Sequence, residues 1–138
     1  LYFNGSIMGR SRAEMDTRIE AISDFADIGD FLDTPMRSYS SGMRARLGFA
    51  AATDINPDIL LLDEIFSVGD EAFRNKATKR MESFFSGHKT IVLVSHSMSM
   101  IKRYANRVIY LAKGQVVAQG APDEVIERYL EDVAKQSK

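Results

Sequence analysis

Asp58-Ile59-Leu60-Leu61-Leu62-Asp63-Glu64 is the stretch on which the fold turns. Its four consecutive aliphatic residues leave no alternation between a wet and a dry face, so the run predicts a short parallel strand covered on both faces. Two acids end it abruptly. A second run, Ile91 to Val94, sits inside a predicted strand over residues 89 to 95 and ends in Ser95 and His96. Between the two strands, residues 71 to 86 read as a helix with Phe73, Ala77, Met81, Phe84 and Phe85 on its inner face and Gly87 at its exit.

Upstream, Ser11 and Glu14 fit a capping box, and Met15, Ile19, Ile22, Phe25 and Ala26 recur at helical spacing, predicting one helix over residues 12 to 28 that ends near Gly29. After the turn-prone Asp33-Thr34-Pro35, a second helix is expected from Ser40 or Ser41, with Met43, Leu47, Phe49, Ala50 and Ala51 on its apolar face, stopping before Asn56-Pro57. Downstream, residues 97 to 104 predict a short helix. Residues 107 to 111 and 115 to 119 flank Lys113-Gly114 as a β-hairpin, and Pro122 opens a last helix. Strands alternating with helices make this an α/β protein, with a helical piece in front of the sheet. The opening Leu1-Tyr2-Phe3-Asn4-Gly5-Ser6 resembles the remnant of an engineered protease-site linker and is expected to lie outside the fold.

Composition narrows the function classes. With 138 residues, 45% of them apolar and 27% charged, one compact core is expected. The 18 basic and 19 acidic residues leave a formal charge of -1, which provides no general attraction for nucleic acid. There is no cysteine, so thiol catalysis and thiolate metal sites are excluded, and His88 and His96 are the two histidines. The apolar runs are far too short to cross a bilayer and no signal-peptide pattern opens the chain, so a soluble, cytoplasmic protein is expected.

In an open parallel sheet, ligands gather beyond the carboxyl ends of the strands. Asp63 and Glu64 leave one such end, Ser95 and His96 the other. Adjacent carboxylates after a buried strand suit a magnesium-nucleotide site, where one holds the hydrated cation and the next orients an attacking water. An acidic pair that merely caps a strand is an equally ordinary reading. Ser38-Tyr39-Ser40-Ser41-Gly42-Met43 places hydroxyls and a glycine at the opening of a helix. Free N-H groups and the positive end of the helix dipole favour an anion there, and Gly42 permits close approach. Alone, it reads equally as a serine N-cap.

Taken in order, however, the segments carry a resemblance. Tyr39-Ser40-Ser41-Gly42-Met43 resembles the signature of the ABC-type ATPases, Ile59 to Glu64 resembles their Walker B strand, and Ser67-Val68-Gly69-Asp70 resembles their D-loop. His96 stands where that family places its switch histidine. The tyrosine, serine and methionine of the signature, together with Ile65 after Glu64, look like the subfamily that exports O-antigen, capsular or teichoic-acid polysaccharides. The resemblance implies a partial P-loop NTPase core: residues 7–54 as part of the helical subdomain, and residues 55–138 as the C-terminal part of the ATPase core with parallel strands and a C-terminal β-hairpin.

It further implies ATP and Mg2+ as cofactors. Ser40, Ser41, Gly42, Met43 and Asp70 would be nucleotide-site residues, Asp63 the metal carboxylate, and Glu64 and His96 the catalytic pair. The partners implied are a second nucleotide-binding domain in a homodimer and a transmembrane permease, docked through residues 8 to 35, with the subunit peripheral to the inner face of the cell membrane. A phosphate-cradling loop requires Gly, four residues, then Gly-Lys and Ser or Thr, and Gly87-His88-Lys89-Thr90 does not meet that pattern. The expectation is therefore a C-terminal fragment that is inactive alone and prone to self-association through an uncovered sheet edge or face. The rival readings are a non-transport ABC ATPase acting in DNA repair or on ribosomes, and a non-catalytic interaction module.

Overall fold

The computed structural model describes residues 1–63, 69–87 and 89–136. The chain divides into two compact units, residues 1–58 with 65–89, and residues 59–64 with 90–138.

The first unit is helical: α1 (Tyr2–Ile7), α2 (Arg12–Asp16), α3 (Ile19–Ala26), α4 (Ser41–Thr53) and α5 (Glu71–Phe85), with two short 3-10 turns at Gly29–Phe31 and Met36–Ser38. Residues 1–6, set apart in the sequence as a linker, carry α1 instead. Gly5 is buried, and a Cβ there would run into the Met15 side chain, so α1 packs closely on Met15.

The single helix expected over residues 12 to 28 is broken at Thr17 and Arg18. The Thr17 hydroxyl donates to the Glu14 carbonyl at 2.8 Å, while the Arg18 guanidinium reaches Asp54 at 2.9 Å. The Thr17 bond is local and competes with the helix ladder. Its C-terminus is set by Asp27 in the left-handed conformation, φ 53°, ahead of Gly29. The capping box is present as read: Ser11 Oγ accepts from the Glu14 amide, and the Glu14 carboxylate accepts from the Ser11 amide at 2.7 Å.

The core of this unit collects Met15, Ile22, Ala26, Ile28, Tyr39, Leu47 and Ala50. Beside it, Phe25, Phe49 and Phe73 from α3, α4 and α5 meet with ring centroids 5.7 to 6.2 Å apart, two of the three contacts edge to face. Arg10 and Arg18 both pair with Asp54, which ties the chain around α2 to the end of α4.

The second unit holds β1 (Ile59–Asp63), β2 (Thr90–Val94), α6 (Met98–Tyr104), β3 (Val108–Ala112), β4 (Gln115–Gly120) and α7 (Pro122–Gln136). β1 and β2 pair in parallel from Ile59 opposite Thr90 to Asp63 opposite Val94. β3 and β4 form an antiparallel hairpin whose turn, Lys113 and Gly114, has positive φ at both residues, the conformation that suits the twist of a tight hairpin. α7 packs on both hairpin strands, with Tyr129 edge-on to Tyr110 at 5.3 Å.

Coverage of the parallel pair on both faces is not what the structure shows. Leu62 is buried, but Ile59, Leu61, Val92 and Val94 are 51 to 73% exposed, so alternate side chains of both strands form an apolar outer face. An unbroken apolar run encodes burial of both faces without providing the layers that bury them.

Replacing Phe73, 1% exposed and part of the aromatic trio, by alanine is expected to cost about 3–5 kcal/mol in denaturant unfolding. The Ser11 hydroxyl and amide hold the Glu14 carboxyl below its ordinary pKa. The capping contribution is therefore full above the usual glutamate range and is lost as pH falls through the depressed folded value. An NMR titration of Glu14 should show that depression, and Ser11→Ala should remove most of it.

Candidate functional site

The site residues fall in both units, and each group has its own local cause. In the helical unit, Ser40 is the N-cap of α4, extended at φ -62° and ψ 163°, and its Oγ accepts from the Met43 amide at 3.1 Å. That bond satisfies one of the orphan donors of the first turn. The Ser41 and Gly42 amides precede the first residue with a helix carbonyl four positions back, so their N-H groups are available to an anion. A Cβ added at Gly42 would meet only Ser40 Oγ, at 3.8 Å, so the approach is open. Ser40, Ser41 and Gly42 are exposed, whereas Met43 is half-buried against the core. The segment before them is held firmly: the buried Tyr39 donates its hydroxyl to the Phe31 carbonyl at 2.7 Å, and Arg44 donates to the Tyr39 carbonyl at 2.8 Å.

Asp70 belongs to the same unit and does something that its motif does not reveal. It is the N-cap of α5, accepting from the Phe73 amide at 2.9 Å, and its other oxygen lies 3.7 Å from Arg46 on α4. Arg46 thus joins the helix that opens at Ser41 to the segment that carries Asp70. Sequence reasoning left Arg46 out of the site. Its position on α4, a little over one turn after Gly42, was the available signal. Gly69 precedes the cap at φ +78°, and a Cβ there would come within 2.8 Å of the Phe73 ring.

In the second unit, Asp63 is the exposed last residue of β1, opposite Val94. The chain after Val94 leaves the same carboxyl end of the parallel pair, so the structure brings Asp63 and His96 to one end of it. His96 is exposed in a bend between β2 and α6. The bend is organised by serines: Ser95 Oγ accepts from the Ser97 amide at 3.0 Å, and Ser97 caps α6. Glu64, Ile65 and Phe66, with Ser67 and Val68 of the D-loop resemblance, lie outside the described residues, as does His88. Among the described residues no cluster of three or more His, Cys, Asp or Glu forms a ready metal cage. No helix among the described residues is long and apolar enough to cross a membrane.

The architecture matches solved structures. An ATP-binding subunit of an ABC transporter superposes with a TM-score of 0.71 over 93% of this chain and 53% of its own, at 22% identity. A bacterial Atm1-family ABC exporter with ATP bound gives 0.56 over 93% of this chain and 24% of its own, at 26% identity. The fold is a partial ABC-ATPase core.

The family model described as ABC transporter matches residues 2–67. In sequence the chain is similar to the ABC transporter protein AbcA of Aeromonas salmonicida, 43% identical over 94% of this chain and 42% of that protein. It is 47% identical to the teichoic acids export ATP-binding protein TagH of Shouchella clausii, over 88% of this chain and 34% of that protein. The O-antigen export system ATP-binding protein RfbB of Klebsiella pneumoniae is 38% identical over 97% of this chain and 54% of its own length. The chain thus spans about half or less of the curated relatives it matches.

The position of the family match corrects the expectation of a C-terminal fragment without its phosphate loop. The match lies over the N-terminal half of the chain and begins at residue 2, inside the stretch read as a linker. The residues of α1 carry specific packing in the fold, as Gly5 on Met15 shows, and the fragment description is not retained.

Gly69→Ala is expected to lower stability by about 1–3 kcal/mol, through its positive φ and the collision with Phe73. Ser40→Ala is expected to cost about 1 kcal/mol through loss of the α4 cap. Denaturant unfolding of the two variants measures both.

Proposed function

We propose that this chain is part of the ATP-binding and hydrolysing subunit of an ABC transporter that exports a cell-surface polysaccharide. The observation that carries the reading is the exposed, serine-capped N-terminus of α4 with Gly42 open to approach, standing in the same chain as a parallel strand that ends in Asp63. Support for transport comes from similarity to AbcA, and support for the polymer class comes from similarity to TagH and RfbB.

In this reading the free amides of Ser41 and Gly42 hold a phosphate oxygen of ATP, helped by a serine hydroxyl and the helix dipole. Met43 shapes the apolar side of that end. Asp63 holds hydrated Mg2+, Glu64 orients and deprotonates the attacking water, and His96 donates a hydrogen bond toward the transferred phosphoryl group. Asp70 links the two sites of a homodimer in which each ATP lies between a pair of subunits. ATP and Mg2+ supply the phosphoryl group and the charge neutralisation that such transfer requires. The subunit works at the inner face of the cell membrane, against a transmembrane permease contacted through residues 8 to 35.

The test uses the ATPase subunit that contains this sequence, purified with its membrane partner. Glu64→Gln should reduce Mg2+-dependent ATP turnover by about 100-fold or more while leaving nucleotide binding in place. Gly42→Asp should instead weaken nucleotide-dependent dimerisation, because a carboxylate would occupy the anion position. Turnover unaffected by Glu64→Gln would overturn the assignment.

A further inference from the structure

Two hydrogen bonds grip the residue immediately before the cap of α4. Tyr39 is 4% exposed, and its ring lies in the core with Ile22, Ala26 and Leu47. Its hydroxyl reaches back eight residues to the Phe31 carbonyl, at 2.7 Å, and so closes the loop built from the turns Gly29–Phe31 and Met36–Ser38. Its own carbonyl accepts from Arg44 at 2.8 Å. Many helices are entered through an apolar contact between the residue before the cap and the fourth residue of the helix, which fixes the angle at which the chain arrives. With Ser40 as the cap, Tyr39 and Arg44 hold those two positions, and a hydrogen bond stands where the apolar contact would be.

The Phe31 carbonyl does not depend on Tyr39 for its own satisfaction. It also accepts from the Thr34 amide at 2.9 Å and from the Thr34 hydroxyl at 2.7 Å, and a carbonyl oxygen has two lone pairs. What Tyr39 adds is reach: the Thr34 bonds are local, whereas the Tyr39 hydroxyl ties the far end of the loop to its start. Both Tyr39 and Ser40 are extended, at φ -75°, ψ 140° and φ -62°, ψ 163°, so the direction of the first turn of α4 is set by how this pair is held. An N-H group serves an anion only when it points at it. Misplacing a group in a phosphoryl-transfer site by about 1 Å is enough to cost about 100-fold in rate.

We propose that Tyr39 is a positioning residue for phosphate recognition: its hydroxyl bond to Phe31 and the bond its carbonyl receives from Arg44 fix the entry into α4 and thereby aim the Ser41 and Gly42 amides. The inference rests on the nucleotide-site reading above and adds to it a buried residue that acts through the backbone. Ser40 Oγ satisfies the Met43 amide inside the first turn, but that bond lies within the turn and does not orient it against the rest of the unit. Tyr39 supplies the outside reference, since its ring is locked in the core and its hydroxyl bonds a separate turn.

The experiment uses the full-length ATPase subunit with isotope-labelled glycine, in the Glu64→Gln background so that ATP persists, and reads two quantities: the Gly42 amide resonance and the ATP concentration for half-maximal dimerisation. Tyr39→Phe keeps the ring in the core and leaves the Phe31 carbonyl its Thr34 donors, so the fold should hold. It should move the Gly42 resonance before ATP is added and raise the ATP requirement about fivefold, the ratio that loss of one ordinary hydrogen bond produces. Arg44→Gln, at an exposed position, should act in the same direction by a smaller factor. Thr53→Ala removes a hydroxyl bond at the opposite end of α4 and should change neither quantity, which separates aim from helix stability. An unmoved Gly42 resonance and an unchanged ATP requirement in Tyr39→Phe, or an equal effect of Thr53→Ala, would overturn the inference and leave the nucleotide site standing. Should Tyr39→Phe melt far below its parent, Arg44→Gln decides on the same two quantities. A parent subunit whose Gly42 resonance ignores ATP and which does not dimerise would overturn the site reading and the inference together.

Discussion

The meeting of Phe25, Phe49 and Phe73 is the contact on which the helical unit depends. The three rings come from three helices, and no two of those helices are joined by a turn short enough to fix their angle through the backbone alone. Edge-to-face packing is directional, so the trio specifies how α3, α4 and α5 lean on one another as well as burying apolar surface. Cations finish the contact. Arg80 lies 4.2 Å from the Phe25 centroid and donates to the Thr53 carbonyl at the end of α4, and Lys76 pairs with Asp27 at the end of α3.

That packing gives the polar residues a fixed frame. Ser40 and Asp70 each cap a helix whose inner face carries one of the phenylalanines, and Arg46 reaches between them. The residues read as chemical are therefore also structural. Ser40 organises the first turn that leaves the Ser41 and Gly42 amides free, and Asp70 starts α5 while facing Arg46. Gly69 is required twice over, by its backbone conformation and by the Phe73 ring pressed against it. In the second unit the same economy holds at the carboxyl end of the parallel pair, where Ser95 and Ser97 shape the bend that carries His96.

Much of this was legible in the amino acids themselves. Helical and strand periods placed α4, α5, both parallel strands, the Lys113-Gly114 hairpin and the last helix, because those segments are long or carry explicit caps and turns. The order of Tyr39-Ser40-Ser41-Gly42-Met43 and Ile59 to Asp63 pointed to the ABC-ATPase core that the solved structures match. Tertiary structure alone decided that Arg18, at the break in the expected helix, pairs with Asp54, far along the chain. It also decided the inclusion of α1, which turns on a single glycine meeting Met15, and the exposed faces of β1 and β2, since a strand encodes its wish for burial but not the layer that satisfies it. The pairing of Arg46 with Asp70 belongs to the same class. Local sequence determines what each segment prefers, whereas partners distant in the chain are chosen only when packing brings them together.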